Sequence, residues 1–248
     1  MIRSLLVRGM LAGLVAGLLG FGFAFVFGEP QVQAAVEFEE SMAARAGDPG
    51  DGEVFSRGVQ HTIGLLTGTV ALGVAFGGLF ALVFAYAYGR IGIAGARRAA
   101  ALLAAAAFGT LTLVPFTKYP ANPPAVGDPA TIDERTLLAF AMITITALAL
   151  VGAVRVRAQS AQRLGSWNAT LVAGGVFIAL IAIAQMILPA VDETPPGFPA
   201  EVLYRFRLAS LGISATLWLT IGLVFGAAAE RLLPPVRRDA AVRISEPA

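Results

Sequence analysis

The 248-residue chain has no cysteine and a single histidine, His61. Without cysteine there is no disulfide framework, no thiolate metal site and no thiol nucleophile. With one imidazole, most histidine chemistry is excluded as well. Charge is scarce: 14% of residues are Asp, Glu, Lys or Arg, and the net charge is +2. An excess that small, spread over loops, makes no basic face for nucleic acid. There is no HExxH, no GxSxG and no P-loop, so catalysis has little support and no resident cofactor is expected.

Long hydrophobic runs are what the chain does have. Apolar residues make up 57% of it and the mean hydropathy is +0.76, far from the balance of a water-soluble domain. A helix needs about 20 apolar residues to cross about 30 Å of hydrocarbon. Six stretches meet that length: Leu5–Phe27, Thr62–Tyr88, Ala99–Phe116, Thr136–Val154, Trp167–Leu188 and Leu208–Ala229. The expected fold is therefore all-α, a polytopic membrane domain of six helices over residues 1–233 followed by a short tail at 234–248.

Charge sets the expected orientation. With a cytoplasmic N-terminus, twelve of the 18 basic residues, from Arg3 and Arg8 to Arg243, fall inside beside three acids, Glu230, Asp239 and Glu246. The other six (Arg45, Arg57, Lys118, Arg135, Arg205, Arg207) fall outside with thirteen acids. This obeys the positive-inside rule and puts both termini in the cytoplasm. A rival reading takes "VQA" at Val32–Ala34 as a signal-peptidase site, leaving five spans. The length of the first apolar stretch and the four-residue spacing of Gly9, Gly13 and Gly17 favour a retained, closely packed helix.

The outer loops are longer, acidic and rich in proline. Each odd span is expected to end outside at a proline, in "FGEP", "VPF" and "LPA". Each even span starts near Arg57, Arg135 or Arg207, a pattern compatible with three repeated helical hairpins. The second span carries Gly64, Gly68, Gly73, Gly77 and Gly78, and the sixth Gly222 and Gly226. Small residues so spaced let another helix approach closely.

No ionisable side chain lies deep in any span, which argues against a self-contained proton pump. Hydroxyls and amides remain, among them Thr67, Thr69 and Gln185 as candidates for a polar pathway; singly, such Thr residues most often bond their own helix backbone. His61 sits at the outer start of span two, and Glu29, Glu37, Glu39, Glu40, Asp48, Asp51 and Glu53 lie on the preceding loop. One imidazole with carboxylate and carbonyl oxygens suits a borderline divalent ion such as Co²⁺ or Ni²⁺, although an acidic surface also concentrates cations without any specific site. His61 and Glu29 are thus candidate entrance ligands, with Asp128 a third. The stretch "PFTKYPANPPAVGDPATIDERT", Pro115–Thr136, holds five prolines, which force an extended, stiff connection. It reads as a strap across the outer mouth, where Lys118, Asn122, Arg135, Arg207 and Arg57 would be structural or ion-pair residues, or equally as an ordinary surface loop.

"RGMLAGLVAGLLGFGFAFVFGEP" at Arg8–Pro30, the strap, and "FPAEVLYRFRLASLG" at Phe198–Gly212 resemble the CbtA family, predicted cobalt transporter subunits of bacteria. The resemblance runs over nearly the whole chain, and it implies a multi-pass protein of the bacterial inner membrane serving cobalamin biosynthesis. It also implies a partner, CbtB, a small single-span subunit with a histidine-rich tail that would supply the imidazoles missing here. The family is usually described with five spans, whereas the charge pattern of this chain favours six.

The expected function is a membrane subunit that passes a divalent transition metal, cobalt above others, inward between glycine-packed helices. Its partners would be membrane lipid, the metal ion and the CbtB-like subunit, with homo-oligomerisation left open. Two alternatives stand beside it: a non-transporting scaffold that binds a partner through its outer loops, and an intramembrane enzyme using Arg57, Arg135 and Arg207 on lipid phosphates.

Overall fold

The computed structural model describes residues 1–47, 57–90 and 95–233. Among these residues every regular element is helical and none is a strand. A bilayer dictates this, because within hydrocarbon a single crossing segment can satisfy its own N–H and C=O groups only as a helix. The longer helices are α1 (Ile2–Phe23), α2 (Glu29–Ala46), α3 (Leu65–Ala87), α4 (Ala96–Phe108), α5 (Ile132–Ile187), α6 (Ala200–Thr220) and α7 (Gly226–Glu230). Five-residue π-helical turns occur at Ala24–Gly28, Gln60–Gly64, Gly109–Leu113 and Ile221–Phe225. Such turns shift the hydrogen-bond ladder by one residue and rotate the faces beyond them.

Five helical stretches are long and apolar enough to cross a membrane: Ile2–Ala46, His61–Ala87, Ala96–Phe116, Pro129–Ile187 and Ala200–Glu230. Two depart from the sequence expectation. The first does not stop at "FGEP" but continues through α2 to Ala46, because Pro30 falls in the first turn after the π turn, where a missing N–H and a bulky ring are tolerated. Pro115 likewise follows the π turn Gly109–Leu113, and there the helix does end, at Phe116. Pro189 ends α5 outright: Leu188 before it is extended at ψ 141°, the conformation imposed on a residue preceding proline. The second departure is that residues expected to link two spans, 155–166, are helical within α5.

α5 is not one rod. Gly165 interrupts it at φ 74°, ψ 163°, a region essentially restricted to glycine. The chain reverses there. Arg157 Nε donates to Thr170 Oγ1 at 2.9 Å across the bend, and Ile145, Leu148 and Ala149 line one groove with Leu180, Ile183 and Ala184. Residues 132–164 and 166–187 are therefore two antiparallel arms.

The chain divides into two compact units, one built from Met1–Gly22, Arg57–Ala106 and the chain from Ala215, the other from Phe23–Ser56 and Ala107–Ser214. In the first, α1 and α3 pack backbone to backbone. A Cβ on Gly9 would overlap the Gly77 carbonyl oxygen, one on Gly13 that of Gly73, and one on Gly17 would lie 2.6 Å from that of Thr69. Rising numbers on α1 meet falling numbers on α3, so the pair is antiparallel. The expected close approach is realised at Gly73 and Gly77 but not at Gly68, where an added Cβ would meet nothing within 4 Å beyond the adjoining helix backbone. On the neighbouring face of α3, Phe80 and Phe84 make edge-on contacts with Phe225 at 5.4 and 5.0 Å, and Phe76 meets Trp218 at 5.6 Å. Gly222 and Gly226 lie against Ala104 and Ala100 of α4, so the last helix also packs through small residues.

Candidate functional site

In the second unit the prolines of two loops determine what their backbones can do. Residues 120–124 include Pro120, Pro123 and Pro124, which lack N–H groups and so can form neither helix nor strand ladder. Val126 N bonds Pro123 O in a tight turn, with Ala125 at φ 64° and Gly127 at φ 122°. The second loop, 188–199, turns at Gly197 (φ 83°), with Phe198 N on Pro195 O. The loops are anchored by an apolar cluster of Ala35 on α2, Val126 and Phe198, joined by Phe38 and by Val202 of α6. The Phe38 and Phe198 rings meet edge to face at 5.1 Å. The strap is thus a packed element rather than a free surface loop.

Polar groups clasp the two loops. Lys118 Nζ donates to the Gln185 carbonyl oxygen at 2.8 Å, Gln185 Nε2 donates to Thr117 Oγ1 at 2.6 Å, and the Tyr119 hydroxyl donates to Pro189 O at 2.8 Å. Gln185 O is among the last four carbonyls of α5, which have no partner within the helix and carry its negative dipole end. An ammonium is well matched to that position. Burial raises the Tyr119 phenol above its ordinary pKa, which keeps it a donor.

A second knot forms around Glu193. Its carboxylate accepts from Asp128 N and from Thr131 Oγ1, both at 2.7 Å, and pairs with Arg135 Nε at 3.3 Å. The Thr131 hydroxyl, the Asp128 N–H and the Arg135 charge together hold the Glu193 carboxyl below its usual range. Arg135 Nη2 also donates to Asp128 O at 2.9 Å, and its guanidinium occupies the space a Cβ on Gly127 would need. Asp128 uses its carboxylate to cap the 3-10 turn Pro129–Thr131, accepting from Ala130 N at 2.8 Å. Arg207 Nη2 reaches Asn122 Oδ1 at 2.9 Å, tying α6 to the strap. Lys118, Asn122, Arg135 and Arg207 thus each make a hydrogen bond or ion pair within this unit; the Arg57 side chain lies outside the described set.

The remaining candidates are placed as follows. His61 lies in the first unit, inside the π turn Gln60–Gly64, with Nδ1 2.9 Å from Gly58 O. When Nδ1 donates to that carbonyl, Nε2 carries the lone pair, the arrangement common to metal-binding histidines. Glu29, in the second unit, opens α2 and is half-buried. Thr67 is exposed on α3, whereas Thr69 is half-buried and bonds Leu65 O at 2.9 Å and Leu66 O at 3.1 Å, the back-bonding expected of a helical threonine. Gln185 is a strut of the clasp. Among the described residues no three His, Asp or Glu side chains converge as a metal-binding group. Asp48, Asp51 and Glu53 of the acidic loop lie outside the described residues, as does the tail at 234–248.

Sequence reasoning missed Glu193, Thr131 and Thr117, which sit among ordinary loop residues. Asp128 followed by Pro129 did carry a signal, since an N-capping carboxylate before a proline marks a helical start.

The family model described as "Probable cobalt transporter subunit (CbtA)" matches residues 2–230. The chain belongs to the CbtA family. As a CbtA-family member with several helices able to cross a bilayer, it is a membrane protein, and the family description is of a transporter subunit rather than an enzyme. Comparison with curated proteins gives no match, and comparison with solved structures gives none.

Proposed function

We propose that this CbtA-family protein is the membrane subunit of a Co²⁺ uptake system of the bacterial inner membrane, passing the ion inward with a small histidine-rich subunit as its partner. The observation that carries the reading is the family description, a probable cobalt transporter subunit; His61, the one imidazole in the sequence, with Nδ1 2.9 Å from the Gly58 carbonyl oxygen, is the candidate nitrogen ligand. His61 and Glu29 are each candidate entrance ligands, and Asp128 is a candidate oxygen donor on the strap. A single imidazole with few carboxylates gives a weak site, and a transported ion must leave its site as readily as it enters.

Six crossings with both termini cytoplasmic fit the charge distribution. The two arms of α5 are about 50 Å and about 33 Å long at 1.5 Å per residue, each enough for about 30 Å of hydrocarbon. The pathway runs beside the α1–α3 seam rather than through it, because atoms already fill the space between those backbones. Thr67 and Thr69 of α3 are its candidate polar residues, and Gln185 is a further candidate. An inside-negative potential drives entry with about 2.3 kcal/mol per elementary charge per 100 mV.

The test is Co²⁺ uptake into sealed proteoliposomes at fixed potential, with the protein alone and then with the histidine-rich subunit. Uptake above empty liposomes that is lost in His61→Ala and Glu29→Gln is the expected result. No uptake in either preparation replaces the permease with the scaffold reading, for which the packing of the strap into a fixed outer platform is the favouring observation.

A further inference from the structure

We propose that the groove between the first membrane-crossing helix and α6 binds one phosphatidylethanolamine molecule, its phosphate at Arg205 and its ammonium at Glu201. Phe23, Phe27 and Gln31 wall the groove on one side and Tyr204, Arg205 and Leu208 on the other, around about 550 Å³, a volume in the range of small-molecule sites. The Phe23 and Phe27 rings lie 4.7 Å apart and make one aromatic wall. At the apolar end the Phe23 ring is seated on the bare backbone of Gly212, where a Cβ would overlap it. From Phe23 to Gln31 the groove runs about 12 Å at 1.5 Å per residue, the reach of a headgroup with the upper part of its chains.

Both walls change from apolar to polar at the same level. On the first helix the run that ends at Phe27 gives way to Glu29 and Gln31, and on α6 Leu208 gives way toward the N-terminus to Arg207 and Arg205. Phe23 meets Gly212, whereas Ala35 clusters with Phe198, so the walls are antiparallel and their polar ends lie together. Both helices are long and apolar enough to cross a membrane. The groove therefore straddles the hydrocarbon boundary, and what fits it is an amphiphile with its polar end beside Gln31 and Arg205. Tyr204, exposed at that level, is a side chain that favours such a boundary. Charge then selects the headgroup. Arg205 Nη2 pairs with Glu201 Oε1 at 2.6 Å, one turn away on α6, and both side chains are largely exposed. The pair has no net charge, so a purely anionic headgroup gains no general attraction. A headgroup of both signs matches it: phosphate oxygens accept from the guanidinium fork, and a primary ammonium donates to the carboxylate. Exposed ion pairs contribute little to stability, so this one opens to a lipid at small cost.

The experiment uses the purified full chain in detergent, offered dioleoyl forms of phosphatidylethanolamine, phosphatidylglycerol and phosphatidylcholine, with retained lipid counted by native mass spectrometry and Tm read in parallel. Wild-type protein should retain one phosphatidylethanolamine in preference to the other two. Glu201→Gln weakens the acceptor for the ammonium and leaves Arg205 unopposed, so the ratio of phosphatidylethanolamine to phosphatidylglycerol should fall about fivefold. Arg205→Gln should lower retention of both lipids. Leu208→Trp, which puts a larger side chain into the groove, should lower retention of all three, whereas Arg163→Gln, on α5, should change none. The Glu201 and Arg205 side chains are exposed, so neither substitution removes a buried contact. Equal retention of phosphatidylethanolamine and phosphatidylglycerol by wild type, or a ratio that Glu201→Gln leaves unchanged, overturns the proposal. Retention of phosphatidylcholine equal to that of phosphatidylethanolamine would show that no ammonium N–H is recognised and would overturn the role of Glu201.

Discussion

Lys118 Nζ caps the main-chain carbonyl of Gln185, 67 residues further along the chain, at 2.8 Å. The bond joins the proline-rich strap to the last turn of a helix arm, and it does so with a charge matched to the helix end. Lys118→Met should destabilise the protein by about 1–2 kcal/mol, as expected for a charge-assisted bond that is partly shielded. Lys118→Arg should recover most of this. Thermal unfolding in detergent followed by tryptophan fluorescence would decide, and equal Tm for Lys118→Met and wild type would remove the cap from the account.

The α1–α3 seam leaves no space for a methyl group at Gly13, while an added Cβ at Gly20 or Gly68 would meet nothing within 4 Å beyond the adjoining helix backbone. Gly13→Ala should therefore lower stability by at least about 1–3 kcal/mol, the usual penalty of overpacking. Gly20→Ala and Gly68→Ala should be neutral or slightly stabilising, since alanine is the better helix former. If all three behave alike in the same unfolding assay, the seam is not as close as described.

Glu193 predicts a pH dependence. Thr131, Asp128 N–H and Arg135 favour its charged form, so its folded pKa lies below the ordinary 4.5. A depressed carboxyl contributes stability that is complete above the unfolded pKa and is lost as pH falls through the folded one. The difference in Tm between wild type and Glu193→Gln should stay constant above about pH 5.5 and shrink in more acidic buffer, as the wild-type carboxyl takes up its proton. A difference that persists unchanged down to about pH 3 would exclude this origin.

Stability and flux should separate at Thr69 and combine at Gln185. Among the described residues the Thr69 hydroxyl bonds carbonyls of its own helix, so Thr69→Ala should leave stability within about 0.5 kcal/mol of wild type while lowering Co²⁺ uptake. Gln185→Ala, which cuts the link to Thr117, should lower both. Unchanged uptake in Thr69→Ala would remove that residue from the pathway.

At the bend of α5, Gly165 holds φ 74° and ψ 163°. Gly165→Ala should cost about 1–3 kcal/mol from backbone strain alone. Spin labels at residues 157 and 170 would show whether the arms stay paired. Unchanged stability and distance would mean that the reversal does not depend on this residue.

The helices were legible because bilayer thickness imposes a length on every apolar run, and the seam because Gly9, Gly13 and Gly17 announce a face with nothing on it. The extension of the first helix to Ala46 was not. Pro30 looks like a stop in one dimension, and the π turn that accommodates it leaves no mark in hydropathy. The reversal at Gly165 was hidden in the same way, since a short basic link that remains helical up to one glycine reads as a loop. Lys118, Asn122, Arg135 and Arg207 stood out in the sequence as polar residues beside proline-rich loops. Their partners were not: Glu193 is one of thirteen acids assigned outside, and only the folded loops bring it to Asp128 and Arg135. His61 stood out by being alone, whereas its contact with Gly58 O is one that no residue type reveals.

The absence of free space along the glycine seam also has an electrical meaning. A wall in which the Gly13 and Gly73 backbones touch admits no file of water, and protons and small ions need such a file to leak. A membrane held at 100 mV would lose about 2.3 kcal/mol of stored energy with each charge that slipped through. Bare backbone, the least reactive surface a protein can present, thus serves this subunit as its insulation.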